Sequence, residues 1–178
     1  ELAAKYGVRV KFALQHIRFI APELTRRDGW ATSKALATAF ADIDEYVTTQ
    51  RGRQSYYNRA KALAERYADN PSVYAWELWN EMDAAAWRNA GWYDFTREML
   101  PRIQALFPHH LVTQTLGSLD TEGAEKSYVK LFGLDSNRFV AIHRYFDQAE
   151  RTYAPVKGDI EELVSSAVGF AKRYVQDR

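Results

Sequence analysis

The feature that most constrains the fold is the alternation of β-rich apolar segments with segments of helical periodicity. Four segments have strand character, and each is followed by one or more stretches whose apolar residues recur at helical spacing. The predicted strands are residues 8–14, 73–79, 111–115 and 139–143. Repetition of strand and helix is typical of a parallel sheet covered by helices, and nearly continuous apolar strands indicate burial on both faces.

The predicted helices are bounded by the ends of this spacing and by stop signals. They are residues 34–46, 56–67, 92–106, 125–132 and 160–174. The run Arg51-Gly52-Arg53 is expected to break the chain between the first two helices, and residues 1–7 predict the last turns of a helix closed by Gly7. The buried stripe of the third helix is predicted to be Phe95, Met99, Ile103 and Phe107.

Polar residues collect directly after the predicted strands, and this decides between an open sheet and a barrel. They are Gln15 and His16; Asn80, Glu81 and Asp83; Ser118 and Asp120; His143, Arg144 and Tyr145. No glycine-rich phosphate-binding loop follows any strand, whereas a β/α barrel carries its chemistry at the carboxyl ends of its strands. The predicted fold class is α/β, a partial (β/α)8 TIM barrel of about four βα units. A complete barrel takes about 250 residues, so residues 1–178 are expected to be a single fragment of one.

Composition narrows the classes of partner. The formal net charge is +1, there is no cysteine, and no apolar run has the length of a membrane span. We therefore expect neither a nucleic acid nor a membrane as partner, and no thiolate zinc site. Aromatic residues make up 14% of the chain, which suits a large aromatic core and also a sugar-binding cleft.

Residues 70–81 have the sequence NPSVYAWELWNE, which resembles the fourth-strand signature of clan A glycoside hydrolases. The similarity is closest to the cellulase and β-mannanase family usually numbered five. It implies that Glu81 is the catalytic acid/base and that Asn80 binds the 2-hydroxyl of the sugar. His143-Arg144-Tyr145 is similar to the His-x-Tyr that ends the sixth strand of that family, which implies that His143 and Tyr145 line the cleft and support the nucleophile.

The same resemblance places the four predicted strands at barrel strands three to six. His16 then lies where the family often has a histidine at the end of strand three, and Trp87 is our first choice for a sugar-stacking aromatic. Barrel strands 1, 2, 7 and 8 are not expected in this chain, nor is the nucleophilic glutamate that ends strand seven. No metal or organic cofactor is implied. The parent protein is expected to be secreted or periplasmic.

The implied reaction is retaining hydrolysis of a β-linked polysaccharide such as a β-1,4-glucan or mannan. This chemistry needs one carboxylic acid that protonates the leaving oxygen and a second carboxylate about 5–5.5 Å away as nucleophile. By this account the chain carries the acid/base without its nucleophile.

Other interpretations remain open at this point. The enzyme could have another clan A activity, such as that of a β-glucosidase, exoglucanase or agarase. From a different class, the chain could be a catalytically inactive, carbohydrate-binding half-barrel that forms homo-oligomers through its open sheet edges. Glu77 is interpreted as a paired charge inside the strand layer, and His109-His110 as a solvated helix end and not a metal site. Ser118 lacks the sequence context of a hydrolase triad.

Overall fold

The computed structural model describes residues 1–20, 33–83, 91–117, 124–137, 139–143 and 160–174. Their elements, in chain order, are α1 (Leu2–Lys5), β1 (Val10–Ala13), α2 (Ile17–Ile20), α3 (Ser33–Thr48), α4 (Gln50–Tyr67), β2 (Val73–Glu77), α5 (Gly91–Leu106), β3 (Leu111–Thr113), α6 (Ala124–Phe132) and α7 (Ile160–Tyr174). Among these helices none has both the length and the apolar character that crossing a bilayer requires.

The three strands form one parallel sheet in the order β1-β2-β3, as the alternation of elements predicts. Trp76 of β2 is in register with Phe12 of β1 and with Val112 of β3. The central strand is buried over most of its length because it has a neighbouring strand on each side and packing on both faces. All three strands run in the same direction, so their carboxyl ends lie at one edge of the sheet.

Helix α5 packs against β3 and α4 through the apolar stripe that its spacing predicts. Phe95, Met99, Ile103 and the following Phe107 are all fully buried. Phe95 makes edge contacts with Trp79, which follows β2, and with Tyr56 of α4. The prediction of the helix and of its buried face is confirmed.

The predicted break at Arg51-Gly52-Arg53 is wrong. Helix α4 already begins at Gln50, and the hydroxyl of Thr49 caps it by accepting a hydrogen bond from the Gly52 N–H at 3.0 Å. Gly52 lies against the end of α3, where an added Cβ would be 2.1 Å from the Glu45 carbonyl oxygen. Gly52, in the first turn of α4, therefore permits the backbones of α3 and α4 to approach each other closely. Glycine at the predicted helix stop near the amino terminus does behave as expected, since Gly7 follows α1 with φ +66°.

The fourth predicted strand, residues 139–143, forms no ladder, and only His143 has bridge geometry. The segment does lie beside β3, because the Thr113 hydroxyl donates a hydrogen bond to the Phe139 carbonyl at 2.9 Å. The N–H of Gln114 is already bonded to the Asn137 side-chain oxygen at 3.0 Å. The Gln114 N–H, which would pair with a fourth strand, thus donates its hydrogen bond to the Asn137 side chain instead.

His110 corrects a second expectation, because it is buried and not solvated. The indole Nε1 of Trp76 donates to His110 Nδ1 at 2.9 Å, and His110 Nε2 lies 3.1 Å from the Asn70 carbonyl oxygen. The imidazole joins the two segments that precede β2 and β3. Its neighbour His109 is exposed, as predicted.

Candidate active site

The segment after β2 is tied by backbone hydrogen bonds to the ends of both neighbouring strands. Asn80 N–H donates to the Gln15 carbonyl after β1 at 3.0 Å, and Met82 N–H donates to the Thr115 carbonyl after β3 at 3.3 Å. These bonds fix residues 80–82 at the carboxyl edge of the sheet. In a β/α barrel this edge is where functional side chains converge.

Glu81 has a left-handed backbone, with φ 53°, the one such non-glycine residue in the described chain. This conformation costs an L-residue other than glycine about 1–2 kcal/mol. Its N–H donates to the Thr115 hydroxyl oxygen at 3.3 Å. A strained residue held by its surroundings is a frequent feature of functional sites, and here the residue is the glutamate that the sequence singles out.

The carboxylate of Glu81 contacts the imidazole of His143. Glu81 Oε1 and His143 Nδ1 are 2.8 Å apart, and their side chains are 28% and 20% exposed. The hydrogen bond fixes the direction of the carboxyl group, while the remaining exposure leaves it accessible to a ligand. The pair is a carboxyl group with an ionisable partner, which is an arrangement that can hold and release a proton.

His143 is itself positioned by a buried tyrosine. The His143 N–H donates to the hydroxyl oxygen of Tyr128, on α6, at 3.1 Å. The Tyr128 hydroxyl donates in turn to the Gly117 carbonyl at 2.8 Å. Helix α6 therefore connects the end of β3 with the segment that carries His143.

A charged pair lies beneath the site, inside the strand layer. Glu77, which is 1% exposed, accepts a hydrogen bond from Lys11 Nζ at 2.8 Å and a second from the Thr115 hydroxyl. The interpretation of Glu77 as a paired charge is confirmed. Burial of the glutamate is possible because the lysine compensates its charge and both carboxylate oxygens are bonded.

The structure brings together part of the predicted set. Glu81 and His143 are in contact, and Asn80, which precedes Glu81 in the chain, is partly buried. His16 is partly buried after β1, where its N–H donates to the Gln15 side-chain oxygen at 3.1 Å. Tyr145 and Trp87 lie outside the described residues.

Several residues that support the site were not singled out from the sequence; besides Tyr128 and Lys11, they include Thr115 and Gln114. The Thr115 hydroxyl oxygen accepts a hydrogen bond from the Glu81 N–H, and the Gln114 side-chain amide donates hydrogen bonds to the carbonyl oxygens of Trp79 and Thr115. A signal was present, because the polar run Thr113-Gln114-Thr115 is unusual at the end of a strand that is expected to be buried. All three are fully buried. Over the described ranges, no three histidine, aspartate or glutamate side chains converge as metal ligands would.

Curated relatives of this sequence are mannan endo-1,4-β-mannosidases. The chain is 28% identical over 130 residues to mannan endo-1,4-β-mannosidase F from Aspergillus clavatus, covering 70% of this chain and 30% of that protein. It is 27% identical over 162 residues to mannan endo-1,4-β-mannosidase A from Aspergillus aculeatus, covering 85% of this chain and 41% of that protein. The chain thus spans well under half the length of these relatives. No family model matches the sequence.

Solved structures support the fold. The chain superposes on the endo-β-1,4-mannanase from Thermotoga petrophila with a TM-score of 0.63 at 18% identity, covering 96% of this chain and 41% of that one. A second structure of an endo-1,4-β-D-mannanase from the same organism gives the same TM-score and covers 53% of that chain. The predicted partial barrel and the resemblance carried by residues 70–81 are confirmed. The chain is a partial β/α barrel that resembles family-five glycoside hydrolases, with endo-1,4-β-mannosidases among its relatives.

Proposed function

We propose that the protein to which this chain belongs hydrolyses β-1,4-mannan with retention of configuration, and that Glu81 is its acid/base. The observation that carries the proposal is the position of Glu81 at the carboxyl edge of the parallel sheet, in hydrogen-bond contact with His143. The choice of mannan over glucan rests on the mannosidases among the relatives.

The proposed reaction has two steps. The Glu81 carboxyl group gives its proton to the glycosidic oxygen as the bond from that oxygen to C1 breaks, and a second carboxylate bonds to C1. The resemblance to family-five enzymes implies that this second carboxylate ends barrel strand seven. In the next step the Glu81 carboxylate takes a proton from water while the water oxygen attacks C1. This releases the sugar and the nucleophilic carboxylate and restores the Glu81 proton.

The neighbours of Glu81 have supporting roles in this proposal. His143 holds the carboxyl group in one direction through its Nδ1 contact of 2.8 Å. Asn80 binds the 2-hydroxyl of the sugar, a contact that strengthens as positive charge develops at C1. His16, Tyr145 and Trp87 complete the sugar-binding cleft. Because a polymer of this kind does not cross a membrane, the protein acts outside the cytoplasm, as a secreted or periplasmic enzyme.

The test uses the complete natural protein and its Glu81→Gln variant, with Glu65→Gln as control. Glu65 is an exposed residue of α4. Release of reducing ends is measured from soluble β-1,4-mannan and from β-1,4-glucan. We expect hydrolysis of mannan in preference to glucan, a loss of about 10²–10⁴-fold in Glu81→Gln because the acid/base is absent, and no loss in the control. Full activity in Glu81→Gln would rule out the proposed role.

The second candidate function is a catalytically inactive, carbohydrate-binding half-barrel that self-associates. One observation favours it: Phe12, on the outer strand of the described sheet, is 47% exposed, and exposed edge strands invite pairing. Sedimentation of the 178-residue chain and of Phe12→Lys tests it. Two results together would favour this candidate. The 178-residue chain would associate with rising concentration while its Phe12→Lys variant would not, and the complete protein would bind mannan without hydrolysing it. A monomer at all concentrations would eliminate it.

A further inference from the structure

We infer that Thr115 is a positioning residue for Glu81, and that it links the ion pair between Lys11 and the buried Glu77 to the backbone of the acid/base. This inference rests on the proposed function of Glu81. Thr115 is fully buried, and its hydroxyl contacts the Glu77 carboxylate on one side and the Glu81 N–H on the other.

The direction of each hydrogen bond follows from counting protons. Glu77 is paired with the Lys11 ammonium at 2.8 Å and, as a carboxylate, can only accept. The single hydroxyl proton of Thr115 is therefore donated to Glu77. A lone pair of the same oxygen is then directed to the Glu81 N–H, which can only donate. The ion pair thus sets the orientation of the threonine hydroxyl.

The bond to Thr115 matters because the backbone of Glu81 is in an unfavourable conformation. With φ at 53°, this residue stays left-handed only while its neighbours hold it. The N–H of the adjacent Met82 also donates a hydrogen bond to Thr115, in this case to its backbone carbonyl oxygen, at 3.3 Å. Thr115 therefore contacts the backbone on both sides of the Glu81 carbonyl group. Because φ sets the direction of Cβ, loss of the hydroxyl would turn the carboxyl group away from its working position.

The functional test compares Thr115→Val, which keeps the shape and removes the hydroxyl, with Thr115→Ser, which restores it. Thr96→Val is the matched control. Thr96 is a fully buried threonine of α5, and within the described part of the chain its hydroxyl bonds only to the Trp92 carbonyl of the same helix. The complete natural protein is assayed for kcat/KM on β-mannan and on a 2,4-dinitrophenyl β-mannoside. The dinitrophenolate leaves without protonation.

We expect Thr115→Val to lower kcat/KM on mannan by about tenfold to hundredfold, because a displaced catalytic group loses its alignment. The dinitrophenyl substrate should be much less affected, and Thr115→Ser and Thr96→Val should stay near the unmodified protein. An equal loss on both substrates, or no loss on either, overturns the inference.

A second readout does not depend on activity. Amide hydrogen exchange is followed by NMR in the complete natural protein. The Glu81 amide is expected to be protected in the unmodified chain and in Thr115→Ser, and to exchange at least tenfold faster in Thr115→Val. An unprotected Glu81 amide in the unmodified chain overturns the inference, even if the valine variant does not fold. If Glu81→Gln stays active while the amide result holds, the proposed function fails and the positioning contact stands.

Discussion

At the scale of single residues, the backbone of Glu81 carries the most information about the site. A glutamate at φ 53° is disfavoured by contact of its Cβ with the backbone, and glycine is the residue that tolerates this region. The side chain is bonded to His143 and the N–H to Thr115. We infer that stability is given up at this position in exchange for the direction of one carboxyl group.

The cost can be measured by comparing Glu81→Gly with Glu81→Ala in the 178-residue chain. The glycine variant should have the larger free energy of unfolding, by about 1 kcal/mol, because glycine adopts a positive φ without strain. Urea unfolding gives both values. Lys61, an exposed residue within α4, is the control. There glycine should be less stable than alanine by about 1 kcal/mol. If alanine were more stable than glycine at position 81 as well as at position 61, the left-handed backbone of Glu81 would be contradicted.

At the scale of secondary-structure elements, the junction of α3 and α4 depends on one glycine. A Cβ at Gly52 would lie 2.1 Å from the Glu45 carbonyl oxygen and 2.7 Å from the Tyr46 Cα. Both are backbone atoms and cannot rotate away. Gly169 of α7 is a matched contrast, since an added Cβ there meets nothing within 4 Å.

We expect opposite effects of the same substitution at these two glycines. Gly52→Ala should lower the free energy of unfolding by about 1–3 kcal/mol, because it forces two packed helices apart. Gly169→Ala should raise it by about 0.5–1 kcal/mol, since alanine is the better helix former. Urea denaturation of the two variants decides the matter. A stabilised Gly52→Ala would show that the helices are not in close contact.

Tyr56 connects α4 to the segment that follows β2, and its ionisation makes the free energy of unfolding depend on pH. Its hydroxyl donates to the Leu78 carbonyl at 2.6 Å, and burial raises the pKa of Tyr56 well above its usual value of 10.0. Because the folded-state pKa is the higher one, the phenol remains protonated in the folded chain after it has ionised in the unfolded chain. The stabilisation is therefore complete below about pH 10 and declines as the pH rises further.

Tyr56→Phe removes this ionisation. The free energy of unfolding of the unmodified chain, minus that of Tyr56→Phe, should be constant from about pH 7 to 9 and should fall above about pH 10. Urea unfolding at a series of pH values measures the difference. A difference that is unchanged at about pH 11 would mean that the Tyr56 pKa is the same in the folded and unfolded chain.

At the scale of the whole molecule, local patterns predicted most of the architecture. Helix α7 has the predicted bounds Ile160–Tyr174, and the three described strands lie within predicted ones. These features follow from periodicity and strand propensity, which are properties of neighbouring residues. The proximity of Glu81 and His143 could be predicted because each follows a predicted parallel strand, and parallel strands end at one edge of a sheet.

The features that sequence reasoning missed depend on contacts between distant segments. The 139–143 segment was predicted as a strand from its composition, but the Asn137 side chain already bonds the Gln114 N–H of its neighbour. Gly52 does not break a helix but packs closely against the backbone of Glu45. Thr115 supports the site only because the fold brings Glu77 and Glu81 into contact with it. No local pattern encodes which residue lies across a fold.

Azide rescue of Glu81→Ala in the complete natural protein tests the proposal that Glu81 is the acid/base of a retaining mannanase. A 2,4-dinitrophenyl β-mannooligoside forms the glycosyl-enzyme without an acid, but water then attacks slowly because no base removes its proton. Azide needs no base. It should attack C1, release the nucleophilic carboxylate and give a β-mannosyl azide, with kcat rising by tenfold or more in Glu81→Ala and not in the unmodified enzyme. An absence of rescue, or an α-mannosyl azide, would contradict the proposed role of Glu81 in a retaining reaction.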